Sequence, residues 1–98
     1  PVLCAESFDR EFTCTESQWA GWLRNALSSH PHQLVARAAS VRLGGGELTL
    51  SWQETGAWPA LTSRVPRLVV SFRFHGVEPA HRYLFARRFD PLKPRHGM

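Results

Sequence analysis

The stretch Arg67–Phe74, RLVVSFRF, constrains the fold of this chain more than any other feature of its sequence. The side chains of a β-strand alternate between its two faces, and one of these two faces is entirely apolar. That face holds Leu68, Val70, Phe72 and Phe74. Polar and charged residues take most of the other face, which is typical of an antiparallel strand with one solvated side. Since burying each apolar side chain contributes roughly 1.5–3 kcal/mol, we expect a central strand here.

The length and composition of the chain indicate one folded domain. With 98 residues, of which 43% are hydrophobic, the chain can bury a single core without metal ions or disulfides. We expect one domain over residues 1–98, with 1–7 as an irregular arm and 90–98 as an extended basic tail that contains two prolines. No apolar run approaches the roughly 18–20 residues of a membrane-spanning helix, so we expect no membrane contact.

Cysteine usage and the N-terminal residues bear on location. The chain does not begin with a charged segment followed by a long apolar run, so we expect no signal peptide. Its two cysteines, Cys4 and Cys14, are too few for a disulfide framework and are typical of a reducing compartment. Nearly all basic residues are arginine, which suggests a GC-rich genome. We therefore expect a cytoplasmic protein from a bacterium.

The first half of the chain predicts a strand followed by a helix. Residues 8–14 alternate apolar and polar side chains, which indicates a short strand. Thr15 and Gln18 have the spacing of a capping box, in which each side chain bonds the backbone N–H of the other residue, so a helix should begin there. Pro31 disfavours helical geometry in the residue before it and should end this helix by residues 28–30. The apolar face of the helix consists of Trp19, Trp22, Leu23, Ala26 and Leu27.

Residues 32–53 are harder to assign. The pattern of residues 32–43 fits both a short helix begun by Pro31 and a strand. The following Gly44-Gly45-Gly46 and the alternation after it favour two strands, at roughly 36–43 and 47–53, joined as a hairpin.

The C-terminal part contains a second uncertain element. If residues 80–89 form a helix, Pro79 takes its first position, where proline is favoured. If they form a strand instead, Tyr83, Phe85 and Phe89 share one face. We assign a helix. The whole pattern predicts an α+β fold: one antiparallel sheet of about four strands, an N-terminal helix packed on one face, and a possible second helix near the C-terminus.

Charge is distributed unevenly along the chain. Residues 1–50 carry a net charge of −1 and residues 51–98 carry +5. The long irregular stretch 54–66 also carries an apolar indole, Trp58. The candidate binding residues are Trp58, Arg64, Arg73, Arg82, Arg87 and Arg88. Arginines can bind phosphates and aromatic rings can stack on bases, although a basic surface that only keeps the protein in solution is the simpler explanation of the charge.

No catalytic or metal-binding motif is present. Cys14, His75 and Asp90 could form a nucleophile, base and carboxylate, but nothing in their spacing supports this. The possible metal ligands Cys4, Cys14, His30 and His32 match no compact zinc spacing. We predict no catalytic residue, metal or cofactor, and we do not expect an enzyme.

The sequence favours a small soluble protein-interaction or accessory module. A sheet edge or the Trp58 loop would contact a protein partner, or a sheet edge would mediate self-association. The alternative is weak, largely non-specific nucleic-acid binding through the Arg-rich second half.

Overall fold

The computed structural model describes residues 5–55 and 66–92. The elements are β1 (Ser7–Phe12), α1 (Glu16–Leu27), β2 (His32–Val35), β3 (Ala38–Leu43), β4 (Gly46–Thr55), β5 (Arg67–His75), α2 (Pro79–Ala86) and a final 3-10 helix (Arg87–Leu92). The strands form one antiparallel sheet in the order β1-β5-β4-β3-β2. The α+β class and the single antiparallel sheet are confirmed, but the sheet has five strands where the sequence predicts about four.

The core lies between one face of the sheet and the helices. The predicted apolar face of β5 is buried at all four positions, and the strand lies between β1 and β4. The middle place in the sheet belongs to β4, so β5 is interior but not central. Trp19 of α1 packs on Phe12 with ring centroids 5.6 Å apart, and Phe89 packs edge-on against Phe72 at 5.6 Å. Both helical segments therefore cover the same face of the sheet.

Helix α1 begins and ends where the sequence predicts. Thr15 is its N-cap, and both hydrogen bonds of the capping box to Gln18 are formed. Trp19 is fully buried, whereas Trp22 is half-buried and its indole N–H donates to the carbonyl of Arg88 at 3.3 Å. The predicted core face of the helix is therefore correct.

The β3–β4 connection is tighter than a three-glycine loop. Leu43 pairs directly with Gly46, which is the first residue of β4, so the turn consists of Gly44 and Gly45 alone. Gly44 has φ +59, in the left-handed region that glycine adopts without strain. The hairpin is confirmed, and its loop is one residue shorter than predicted.

The segment that the sequence left ambiguous forms a second hairpin. Val35 pairs with Ala38, and the two residues between them make the turn. Ala36 has φ 51, which is uncommon for a residue other than glycine. The predicted strand over 36–43 therefore begins two residues too early, and the residues before it form a further strand, β2.

The C-terminal part is helical, as predicted for residues 80–89. Where the sequence suggests an extended tail from Asp90, residues 90–92 complete the 3-10 helix, and 93–98 lie outside the described residues. Arg10 of β1 donates to Asp90 at 2.9 Å and to the carbonyl of Ala86 at 3.0 Å. At the other end, Ser7 already belongs to β1 and not to an irregular arm. Neither α-helix in the described parts of the chain is long and apolar enough to cross a membrane.

Candidate docking edge

The two edge strands of the sheet, β1 and β2, expose different chemistry. All four residues of β2 are exposed, and they include two of the large hydrophobic side chains on the described surface: Leu34 is 44% exposed and Val35 is 64% exposed. β2 carries no Asp, Glu, Lys or Arg. Natural proteins usually protect sheet edges with charges, bulges or covering elements. By this criterion β2 is an unprotected edge.

The hydrogen-bond pattern identifies the backbone groups of β2 that point away from the sheet. The N–H of Arg42 donates to the carbonyl of Pro31 at 2.9 Å, so residues 31 and 42 form a hydrogen-bonded pair. Such pairs recur at every second residue of an antiparallel ladder, which makes Gln33 and Val35 the next residues bonded to β3. The backbone groups of His32 and Leu34 therefore point toward the open edge.

The β1 edge is protected by carboxylates. The N–H of Phe74 donates to the carbonyl of Glu6 at 2.7 Å, and by the same alternation the outward backbone groups belong to Ser7, Asp9 and Glu11. The two acidic side chains lie on the sheet face away from the helices. Carboxylates at these positions disfavour the addition of another strand, since they repel acidic neighbours and hold water.

A histidine-rich segment leads into β2. The ring of His30 packs edge-on against Phe85 with centroids 5.6 Å apart, and its buried Nε2 has no hydrogen-bond partner in the described residues. Burial lowers the pKa of His30, and the nearby charges of Arg88, His81 and His32 lower it further. The Nδ1 atom of His32 lies 2.8 Å from the carbonyl oxygen of His30. At neutral pH the His30 side chain at the start of the edge is therefore uncharged.

The face of the sheet away from the helices is polar and balanced in charge. Its charged side chains are Asp9, Glu11, Arg42, Glu47, Arg67 and Arg73. Several of these groups interact with each other or with hydroxyls: Arg67 pairs with Glu11 at 3.1 Å, and Arg73 donates to the Ser7 hydroxyl at 3.3 Å. Within residues 5–55 and 66–92, this face therefore offers no net positive charge to a polyanion.

Among the predicted binding residues, those that the structure describes lie on both sides of the sheet. Trp58 and Arg64 lie outside the described residues. Arg73 lies on the polar sheet face, whereas Arg82 is 9% exposed and donates to the carbonyl of Val77 at 2.6 Å. The guanidinium of Arg82 therefore lies inside the fold, and a binding role for this residue remains a prediction.

Arg87 and Arg88 lie on the helical side of the sheet. Arg87 stacks over the ring of Tyr83 at 5.7 Å. Arg88 lies over the ring of Phe85 at 5.1 Å and donates to the carbonyl of Ala26 at 3.0 Å. The described residues include nine arginines and eight acidic side chains, which gives them a net charge of +1. The remaining basic residues are Arg64, Lys93 and Arg95, in segments that the structure does not describe.

The residues considered for catalysis or metal binding are also separated. Cys14 follows β1 near the start of β5 and is buried, and burial together with the charge of Glu54 raises the pKa of its thiol. His75 ends β5 at the opposite end of the sheet, while Asp90 is paired with Arg10. Within residues 5–55 and 66–92, no three His, Cys, Asp or Glu side chains are grouped to hold a metal ion.

The edge strand His32–Val35 is the feature that sequence reasoning missed. The sequence leaves its residues in an ambiguous segment, and the one signal for a separate strand is the apolar pair Leu34 and Val35 shortly before the charged Arg37. No protein-family model, curated protein or solved structure matches this chain.

Proposed function

We propose that this chain is a small protein-interaction module that docks an extended protein segment on the open edge of β2. One observation carries the proposal: β2 is an edge strand with four exposed residues, an exposed apolar pair and no Asp, Glu, Lys or Arg. In strand addition, main-chain hydrogen bonds provide affinity, and the side chains on the two faces of the strand provide specificity. β2 supplies both kinds of contact.

The two faces of β2 would contact different side chains of a docked segment. Leu34 lies on the same face as Ala39 and therefore on the helical side of the sheet, whereas Gln33 and Val35 lie on the polar side. A matching segment has an apolar side chain beside Leu34 and a small apolar or amide side chain on the other face. Because Leu34 is already about half buried, covering the rest of it contributes roughly 1 kcal/mol.

The turn beside β2 gives independent support. Ala36 is held at φ 51, a conformation that costs a residue with a Cβ atom on the order of 1–2 kcal/mol. Strained backbone of this kind clusters at functional sites. In this chain the strain lies directly after the exposed edge strand.

The distribution of charge gives less support to nucleic-acid binding. Non-specific binding depends on a surplus of Lys and Arg at phosphate positions. The arginines of the second half that the structure describes are divided between both sides of the sheet and do not form one basic surface.

We also propose that the module acts in the cytoplasm. Cys14 is buried and forms no disulfide, which agrees with a reducing compartment. A bacterial source is supported only by the predominance of arginine among the basic residues.

A peptide selection would test the proposed docking edge. Random peptides displayed on phage would be selected on the full-length protein, and the bound site would be mapped by amide NMR. We expect alternating apolar and polar peptides that shift the signals of His32–Val35. Leu34→Lys should weaken their binding about tenfold, which corresponds to roughly 1.4 kcal/mol.

Leu84→Lys is the matched control, since Leu84 is an exposed leucine on α2. This variant should bind the selected peptides as the wild type does. Peptides that bind Leu34→Lys with unchanged affinity, or that shift only signals of the helices or the polar sheet face, would disprove docking on β2.

A further inference from the structure

We propose that the segment that docks on β2 is β2 of a second copy of this chain, paired antiparallel about a two-fold axis through Gln33. This inference rests on the proposed function and names its partner. Two features of the strand support it: its outward N–H and C=O groups can pair with those of a second copy, and it carries no Asp, Glu, Lys or Arg that would repel a copy.

The register follows from the outward backbone groups. His32 and Leu34 present the N–H and C=O groups that point away from β3. In an antiparallel pair, two such residues opposite each other exchange both of their hydrogen bonds. If His32 faces Leu34 of the second copy, the two-fold axis generates the reverse pair, and four main-chain hydrogen bonds form. If the two-fold axis passed through His32 or Leu34 instead, one residue of each copy whose backbone groups point away from β3 would have no partner residue on β2.

The side chains fit the same register. On the helical side, Leu34 lies beside the ring of His32 from the second copy. On the polar side, the two Gln33 amides lie next to each other across the axis and can exchange hydrogen bonds. All four β2 residues are exposed, so the side chains on both faces of the strand are accessible to a second copy.

The opposite edge is unsuitable for the same arrangement. Pairing β1 with a second copy so that all three outward residues are matched places Asp9 directly opposite Asp9 of that copy and Glu11 opposite Ser7. Like charges placed directly across two strands are destabilising. Self-association should therefore use β2 and not β1.

The symmetry has a defined structural result. A two-fold axis perpendicular to the sheet joins two five-stranded sheets into one and leaves all helices on the same face. The contact along a four-residue strand is smaller than most stable interfaces. The dimer should therefore form reversibly and depend on protein concentration.

A cysteine cross-link tests the register directly. Gln33 and its copy form a non-hydrogen-bonded pair across the new seam, with Cα atoms about 4.5 Å apart, which lies within the range of disulfides. In a Cys4→Ser background, Gln33→Cys should give a disulfide-linked dimer under mild oxidation. Cys14 remains buried and should not interfere.

Val35→Cys is the matched control on the same strand and the same face. In the proposed register the two Val35 positions are separated by four residues along the seam, about 13 Å, so this variant should not cross-link at the same rate. Equal cross-linking of both variants, or cross-linking of neither, would overturn the register.

Sedimentation of the untagged full-length chain over a wide concentration range tests the association itself. We expect a monomer–dimer equilibrium whose dissociation constant rises about tenfold or more in Leu34→Lys and is unchanged in Leu84→Lys. A wild-type monomer at every concentration, or a dimer that is insensitive to Leu34→Lys, would overturn self-pairing. If the wild type is monomeric and selected peptides still bind β2, self-pairing fails and the proposed function stands; if the peptides also fail to bind β2, both fail.

Discussion

Replacing Gly46 with alanine should destabilise the fold, because two backbone segments approach each other closely at this residue. Gly46 is buried and continues the β4–β5 register opposite Gly76. A Cβ atom at position 46 would lie 2.5 Å from the carbonyl carbon of Gly76 and 2.5 Å from the carbonyl oxygen of His75. Both atoms belong to the backbone, so the clash cannot be relieved by rotating a side chain.

The expected magnitude follows from the cost of overpacking. Forcing extra atoms into a packed region typically costs about 1–3 kcal/mol through shifts of the surrounding backbone. For a domain of this size each kcal/mol lowers Tm by about 4–8 °C. Gly46→Ala should therefore melt roughly 5–20 °C below the wild type.

Gly45→Ala is the matched control from the adjacent position. Its added Cβ atom would have no neighbouring atom within 4 Å, and the residue does not have a positive φ. Thermal unfolding of both variants and the wild type would be followed by far-UV circular dichroism and tryptophan fluorescence. If Gly46→Ala melts within about 2 °C of Gly45→Ala, the close approach of β4 to the end of β5 is wrong.

Three further predictions concern the cap, the buried thiol and pH. Thr15→Ala should lower the free energy of unfolding by about 1 kcal/mol, since it removes the cap of α1, and an unchanged denaturant midpoint would contradict this. In a Cys4→Ser background, burial and the raised pKa of Cys14 should keep its thiol from reacting with a thiol reagent until denaturant is added; rapid labelling of the native protein would be inconsistent with that position. The folded state lowers the pKa of His30 below its ordinary 6.5, so His30 takes up a proton at a higher pH in the unfolded chain than in the folded one. The free energy of unfolding should fall as pH drops from about 6.5 to the folded-state pKa and then level off. His30→Gln should remove this part of the pH dependence in equilibrium unfolding. An identical pH profile for the variant and the wild type would contradict the lowered pKa of His30.

The elements that could be predicted from sequence are those whose local pattern agrees with their burial. β5 alternates strictly between core and solvent, so its buried face was evident from sequence alone. The start of α1 was equally clear, because Thr15 and Gln18 satisfy each other within a few residues of chain. In both cases the determining interactions are local or periodic.

β2 could not be separated from β3 by the same reasoning. The turn between them consists of Ala36 and Arg37, neither of which is a usual turn residue, and Ala36 adopts a left-handed conformation that its side chain disfavours. The exposure of Leu34 and Val35 depends on their place at the edge of the sheet. That place is set by strand pairing and not by the local sequence.

The basic residues show a second limit. Arginines are usually exposed, which made Arg82 a natural member of a charged surface. Its guanidinium instead bonds the carbonyl of Val77 in the turn before α2, a contact that no spacing rule anticipates. The uneven charge of the two halves persists in the described residues, at −1 for residues 5–50 and +2 for 51–55 and 66–92, but the fold divides the arginines of the second half between both sides of the sheet.

Amide hydrogen exchange along β2 tests the docking edge most directly. The N–H groups of Gln33 and Val35 bond β3 in every state, whereas those of His32 and Leu34 point toward the open edge. We predict that raising the protein concentration slows exchange at His32 and Leu34 and leaves Gln33 and Val35 unchanged, and that a selected peptide gives the same protection in dilute protein. Exchange at His32 and Leu34 that stays fast under both conditions would contradict the use of β2 as a docking edge.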